Sequence, residues 1–454
     1  MTTSVTPGLA IIGSGYTAAS VLTHLLDADP QKAEEISVFG PAPFGHGAAF
    51  GTEHRDFRLN VRAQIMQLRP ARPDDFPLWA DHAVDDPEAH RAQGSFYRRA
   101  DFARYLDERL SQLPGFEAVR FDRRKVTSVR YDKGSALWHI AVNNDETFSA
   151  KTLILATGNP EPDWPCLIDK ACLTAAREQL VRSPWSGAWV ADCAPDRDIL
   201  VIGGGLTAMD AIYALGRAGH RGKIRVVTPV GILPPAQTRW VADEAVRWPD
   251  DITSATGFIQ FFNRNLKQNQ PCPWTDPVWQ TRFEALRVNM NPVWRALAGS
   301  EKRRLMAHLG AFWSLARYRS APQTSAMAAT MMASGQLEIH TGRVVRIAAG
   351  KMPHRLSVHL TTGDVAEVDY VVNCTGMGRD SLLADLIANK VIQPDAFGRG
   401  PGLGDHLALC LPDGQAYPAA FAVGAMTAGS EGDVVGATTI SRQAAALARH
   451  IRGV

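Results

Sequence analysis

Two short glycine turns carry the clearest chemistry in this chain. Gly13-Ser-Gly15-Tyr-Thr-Ala18 and Gly203-Gly-Gly205-Leu-Thr-Ala208 share one spacing, G-x-G-x-x-A. Each follows an apolar run, Leu9-Ala-Ile-Ile12 or Ile199-Leu-Val-Ile202, and precedes a stretch with helical patterning, Thr17 to Leu26 or Thr207 to Leu215. In that context the first glycine permits the tight turn, the second lets backbone approach a pyrophosphate, and the small third residue lets helix and strand pack closely. The free amides at the helix N-terminus then meet the diphosphate. One such turn is weak evidence for a dinucleotide. Its recurrence 190 residues later, with the same strand before it and helix after it, implies two dinucleotide-binding modules. Gly13, Gly15, Tyr16, Thr17 and Phe39 are the candidate contacts of the first module, and Gly203, Gly205 and Thr207 those of the second.

Each module departs from the standard form where the ribose is read. After Val38-Phe39 the first module has Gly40 in place of an acid, and the second strand ends Val227-Thr-Pro-Val-Gly231, with neither an acid for NAD nor an arginine pair for a 2′-phosphate. Arg217, Arg221 and Arg225 are near enough in sequence to supply that charge, although a solvated basic face is the simpler account of any one of them. NADPH and NADH therefore both stand as cofactors. Thirteen histidines are scattered without triad or metal spacing, and His46 and His406 are the better candidates for a general acid or base. Six cysteines, at 166, 172, 193, 272, 374 and 410, include no CxxC pair and no zinc spacing, which argues against disulfide reduction and against a metal.

The elements that must position these turns form an α/β pattern. A βαβ unit runs from Leu9 to Phe39, further strands lie near Val126 to Arg130, Trp138 to Val142 and Thr152 to Ala156, and the second βαβ unit runs from Ile199 to Val227. From about 232 to 325 the pattern is helical and holds Trp240, Trp248, Trp274, Trp279, Trp294 and Trp313, six of the chain's eleven tryptophans. The core of a helical subdomain is the plainer reading of that concentration, and an apolar-walled substrate vestibule the sharper one. Strands return between Leu337 and Val372, and a final helix of roughly Gly436 to Ile451 is expected to pack on the first module.

Composition narrows the partners. With 454 residues, 45% apolar and 21% charged, the chain is long enough for two or three ordinary globular domains. A net charge of +2 without a block of one sign is no footprint for nucleic acid. The N-terminus lacks a secretory pattern and no apolar run approaches the ~20 residues of a membrane span, so no membrane partner and a cytoplasmic location are expected. A small-molecule substrate is the expected partner, with a homodimer the default expectation for assembly.

Taken together, the residues resemble a recognised group, the bacterial FAD/NAD(P)-binding proteins of the flavin-dependent monooxygenase-like class that includes certain FAD-dependent urate hydroxylases. The resemblance covers most of the chain. It rests on the first glycine turn, Gly45-His-Gly-Ala-Ala-Phe-Gly51 with Arg58-Leu-Asn-Val61, Pro184-Trp185, the second turn, Gly219-His-Arg-Gly222, Gly231-Ile-Leu-Pro234, Arg317-Tyr-Arg319 with Ala321-Pro322, Asn373-Cys-Thr-Gly376 and Arg442-Gln-Ala444. It implies two Rossmann-type domains, the second inserted into the first: residues 1–165 and 341–454 for FAD, and 166–340 for the nicotinamide dinucleotide with the helical insert at about 232–325. It also implies that Asn60, Gln64 and Met66 lie near the flavin ring, that Gly158, Gly376 and Gly424 bring backbone to the cofactor, and that Asn60, Gln64 or His46 assist catalysis. A loop asparagine capping a helix is the plainer account of Asn60.

The implied reaction passes hydride from NADPH or NADH to FAD, after which O2 forms a flavin hydroperoxide that hydroxylates the substrate. A dehydrogenase or NAD(P)H oxidase without oxygen insertion, and a nucleotide-binding or redox-sensing protein without catalysis, are the rival readings. The chain departs from the group at Thr228-Pro-Val-Gly231 where Ser-Arg-Arg-Gly is common, at Tyr318-Arg319 in place of His-Arg, and in Val423 to Gly429, which lacks a Gly-Asp pair.

Overall fold

The computed structural model describes residues 8–52, 54–143, 146–240, 245–266 and 273–453. Two sheets, the first mixed and the second all parallel, organise the chain. In the first, strands run in the order Ala408–Cys410, Ala416–Ala422, Thr147–Leu155, Gly8–Ile12, Ile36–Phe39 and Arg120–Asp122, and the hairpin Val126–Asp132 with Leu137–Val142 is attached to the third of these. In the second the order is Leu180–Val181, Tyr370–Asn373, Ile199–Ile202, Ile224–Thr228 and Leu337–Thr341, with every pairing parallel. Ile199 to Ile202 are all buried, as a central parallel strand covered on both faces requires.

The two sheets repeat one local design. Each glycine turn leaves a central strand flanked on one side by the strand that closes the βαβ unit and on the other by a strand ending in a Thr-Gly turn. A Cβ on Gly13 would stand 2.1 Å from the Ala156 carbonyl oxygen, and a Cβ on Gly203 2.7 Å from that of Cys374. Gly13 donates to the Phe39 carbonyl at 2.7 Å and Gly203 to the Val227 carbonyl at 2.9 Å. Ala156 and Cys374 are therefore equivalent positions in two different modules.

That equivalence corrects the expected boundary at 341. Tyr370–Asn373 pairs with Ile199–Ile202, and the meander of Val344–Ala349, Leu356–Leu360 and Val365–Val368 pairs with Leu167–Ile168 and shares a core with Leu200 and Val227. Cys374-Thr-Gly376 thus belongs to the second sheet rather than to a second flank of the first. Strand sequence alone does not reveal which sheet a short apolar strand joins, because Tyr370–Asn373 reads the same in either. The chain crosses back beside its outward crossing: Gly378 is so close to Glu161 that a Cβ would lie 1.9 Å from the Glu161 carbonyl oxygen.

The helical insert is a closed excursion. Its ends are tied by a bridge between Ala236 and Ser320, with Gln237 donating to the Ser320 carbonyl and Ser320 to that of Pro235, both at 2.9 Å. Between them lie helices Ala255–Leu266, Pro277–Val288, Met290–Ala296 and Gly299–Arg317. Trp248, Trp279 and Trp294 are buried in their common core, with Trp274 and Trp313 packed against it. The plainer reading of the tryptophans holds for these five. Trp240 stands apart, under the Arg62 guanidinium at 4.2 Å.

The C-terminal helix, Ala437–Arg452, lies along Tyr16–Ala28, where Ser441 reaches both His24 and the Leu68 carbonyl and Ile440, Ala444 and Leu447 enter the first core. Among the described residues no helix is long and apolar enough to cross a membrane.

Candidate functional site

Helices Tyr16–Ala28 and Leu206–Arg217 begin alike. Their N-caps, Gly15 and Gly205, have φ/ψ of −86°/−168° and −84°/−167°, and neither helix has a capping side chain or an acid in its first turn. The first amides of each helix are left for a partner from outside the helix, and the positive end of the dipole favours an anionic one. A Cβ on Gly205 would meet nothing within 4 Å, so that glycine is required by no contact among the described residues. A Cβ on Gly15 would touch Gly47 at 3.3 Å, and Gly45 donates to the Ser14 carbonyl at 2.8 Å, so the loop around His46 abuts the first turn through backbone. These two cradles fit the diphosphates of FAD and of a nicotinamide dinucleotide.

The missing acid after the second strand has a steric cause. A Cβ on Gly40 would lie 2.9 Å from Ser14 Oγ, whose hydroxyl donates to the Pro41 carbonyl at 2.5 Å. In the second module Thr228 takes the corresponding place and a Cβ on Gly204 would meet its Cβ at 3.1 Å.

The remaining expected residues separate into those that face the site and those held elsewhere. Phe39 is buried against Phe148 and serves the turn through its carbonyl. The Tyr16 ring is in the first core beside Phe50 and Phe102, its hydroxyl given to the Gln67 and Ala437 carbonyls, so that burial drives its pKa far above the usual phenol value. Met66 is likewise part of that core. Thr17 lies under Gly424, whose φ of +94° admits only glycine readily and whose Cβ would be 2.8 Å from Thr17 Oγ1. Gly424 donates to Gln443 Oε1 at 3.1 Å, which ties the C-terminal loop over the first turn. Gly158 and Gly376 stand open at their respective turns, and Thr207 is half-buried in the first turn of its helix.

His46 is engaged by Asp107 at 2.8 Å, and His406 stacks on His450 with centroids 4.1 Å apart. Gln64 is exposed. Asn60 is 9% exposed and its Oδ1 has no hydrogen-bond partner among the described residues, while its carbonyl accepts from Gln237 Nε2 at 3.3 Å. It caps no helix. A buried, unpartnered carboxamide oxygen is the kind of group that a bound ring or substrate completes.

Residues the sequence did not single out join the modules. Arg99 donates to Asp210 at 2.9 Å in a buried pair between the first module and the second helix. Burial pushes the Asp210 carboxyl up to about 6, and Arg99 offsets only part of the shift. Beside Asn60, Arg62 reaches the insert. There Glu284 holds Arg287 and Arg319, and Asp433 of the C-terminal loop holds Arg287 and Arg317. Burial raises the Asp433 carboxyl, but Arg317 and Arg287 outweigh it and hold the group below its ordinary value. Only an arginine-rich run such as Arg317-Tyr-Arg319 signals this cluster in sequence.

Residues 10–160 match the FAD-NAD(P)-binding family, and residues 90–256 match the L-lysine 6-monooxygenase/L-ornithine 5-monooxygenase family. The fold is that of the FAD- and NAD(P)-binding flavin monooxygenases. Among solved structures the chain is similar to ornithine N-hydroxylase of Kutzneria sp. 744, at 15% identity and a TM-score of 0.62 over 98% of this chain and 99% of that one. Lysine monooxygenase of Nocardia farcinica aligns over 97% and 100%, at 18% identity and a TM-score of 0.55. The bacillithiol disulfide reductase of Bacillus cereus shares the architecture as well, at 14% identity and a TM-score of 0.55 over 98% and 99%. A comparison with curated protein sequences gives no match. The flavin-monooxygenase architecture thus agrees with the expected fold class, while nothing in these matches singles out a urate hydroxylase. The five described cysteines, 166, 172, 193, 374 and 410, are all unpaired, and Cys272 lies outside the described residues. Among the described residues no group of side chains is placed to hold a metal.

Proposed function

We propose that this chain is an FAD-dependent monooxygenase that consumes NADPH or NADH and O2 to hydroxylate a small molecule. The carrying observation is the pair of uncapped glycine-turn helices in two joined modules, each with a turn shaped for a dinucleotide backbone. In the balanced reaction, substrate, O2, NAD(P)H and a proton give hydroxylated product, water and NAD(P)+. FAD, when bound, supplies the two-electron relay from nicotinamide and the activation of O2.

The chain's own residues bind and shield. Gly13 and Gly15 with the first amides of Tyr16–Ala28 would hold the FAD diphosphate, and the loop at Gly424, fixed by Thr17 and Gln443, would close over it. Gly203, Gly205 and Thr207 would hold the nicotinamide dinucleotide. Asn60 offers an oxygen acceptor at the seam between the first module and the insert, where the reacting groups would meet and water must be excluded. Similarity to the L-lysine 6-monooxygenase/L-ornithine 5-monooxygenase family supports oxygen transfer.

Anaerobic mixing of the FAD-loaded protein with NADPH or NADH, followed by oxygenated buffer, tests the reading. Rapid bleaching of the flavin and substrate-dependent oxygen transfer support it and identify the nicotinamide. Bleaching with full return of the electrons as hydrogen peroxide under every substrate points to an oxidase, and absence of bleaching to a binding or sensing protein.

A further inference from the structure

We propose that Arg343 reads the 2′-phosphate of NADPH, so that the second module prefers NADPH to NADH. The assignment rests on the reading of Gly203 to Ala208 as the nicotinamide-dinucleotide turn and deepens it. In such a module the adenosine ribose lies at the carboxyl end of the second strand, where an acid selects the 2′-hydroxyl and an arginine the 2′-phosphate. The second strand here is Ile224–Thr228, and its last residue approaches the turn: a Cβ on Gly204 would lie 3.2 Å from Thr228 Oγ1.

The end of that strand supplies neither charge. Thr228 is buried and uncharged, Pro229 has no N–H, and Val230 presents an exposed apolar side chain. The three arginines nearest in sequence are engaged or remote. Arg217 pairs with Asp56 and Glu88 of the first module, and Arg225 with Asp198 and Glu338. Arg221 precedes the strand, where its amide and that of Gly222 donate to the Pro195 carbonyl, so it stands at the end of the sheet opposite the glycine turn.

The third strand brings a cation to the same place. Leu337–Thr341 runs parallel to Ile224–Thr228 with Thr341 opposite Thr228, and Gly342 donates to the Thr228 carbonyl at 3.0 Å. The loop after the second strand folds onto this end, since a Cβ on Gly231 would lie 2.2 Å from Thr341 Oγ1. Arg343 follows Gly342. Its backbone is pinned to Thr361, donating to Oγ1 at 3.0 Å and accepting from the Thr361 amide at 2.9 Å. Its side chain is exposed, and the guanidinium has no hydrogen-bond or ion-pair partner among the described residues. The carboxylate of Asp364, in the turn after Thr361, accepts from Thr362 Oγ1 at 2.8 Å. A fixed backbone carrying a free planar guanidinium at the ribose end suits a phosphate, which it can grip through two parallel N–H bonds.

Isothermal titration of the FAD-loaded protein with NADP+ and with NAD+ reads the preference without turnover. NADP+ is expected to bind about tenfold or more tighter than NAD+. Arg343→Gln should bring NADP+ to within about twofold of NAD+, with partial recovery in Arg343→Lys, which keeps the charge but loses the fork. The affinity of Arg343→Gln for NAD+ should match that of the wild type, which shows that the module is folded. A wild type that binds NAD+ as tightly as NADP+ overturns the proposal and leaves the turn's reading intact, and so does an Arg343→Gln protein that keeps the full preference. Binding of neither nucleotide to the wild type removes the second turn from the nicotinamide site, and the proposal with it.

Discussion

Gly13 and Gly205 occupy the first and second glycine positions of equivalent turns, yet their substitution should fail in opposite ways. In Gly13→Ala the new methyl meets the Ala156 carbonyl oxygen at 2.1 Å and the backbone is held at φ +125°. A loss of about 3 kcal/mol or more is expected, read as a lowered denaturation midpoint and poor FAD retention. Gly205→Ala adds a methyl to open space at an ordinary φ of −84°. Stability should stay within about 0.5 kcal/mol while KM for the nicotinamide rises roughly tenfold or more, because only the bound diphosphate needs the space. A Gly205→Ala enzyme with unchanged KM would remove the second turn from the cofactor site. Asn60→Ala deletes an oxygen that has no partner among the described residues, so folding should be little affected. Peroxide released per NAD(P)H should increase, and an unchanged ratio would exclude Asn60 from the reaction.

The helical insert depends on one carboxylate far away in sequence. Asp433 accepts from Arg287 and Arg317, 146 and 116 residues distant, and Trp294 donates to the nearby Gly429 carbonyl at 3.1 Å. Asp433→Ala leaves the Arg317 guanidinium without its carboxylate and Arg287 with Glu284 alone. About 3 to 5 kcal/mol should be lost, seen as an earlier tryptophan-fluorescence transition in urea, since five of the chain's eleven tryptophans lie in or against the insert's core. A transition at the wild-type urea concentration would mean that the insert is held by its apolar core alone. Helical spacing and tryptophan content made the insert itself legible. Its attachment was not, because ion pairs between distant segments leave no periodic trace.

Arg99 and Asp210 join the two modules across the interior, and their pairing gives the molecule a pH dependence. An unfolded carboxyl titrates near 3.9, whereas that of Asp210 is raised to about 6 by burial, with Arg99 opposing. Between those values the folded protein retains a proton that the unfolded chain has released. The contribution is therefore complete below about pH 4 and lost as pH rises through 6, a change on the order of 3 kcal/mol. Compared with Asp210→Asn, the wild type should gain stability as pH falls from 7 to 4, and denaturation curves at both pH values measure it. A constant difference between the two proteins would mean that Asp210 titrates normally.

The glycine turns, the strands before them and the helices after them could be read directly, since G-x-G-x-x-A is a local requirement of chain geometry that sequence spacing records. The repeat likewise disclosed two modules, and Asn60 stood in a recognisable run. Sheet membership was settled only by the fold: Cys374-Thr-Gly376 looks like the counterpart of Ala156-Thr-Gly158 within one domain, but parallel pairing puts each beside a different glycine turn. Side-chain direction was settled there too, since Tyr16 turns into the core and His46 toward Asp107 for reasons of packing against distant residues. Local backbone constraints are written in neighbouring residues. Burial and charge pairing are written in residues that only folding brings together.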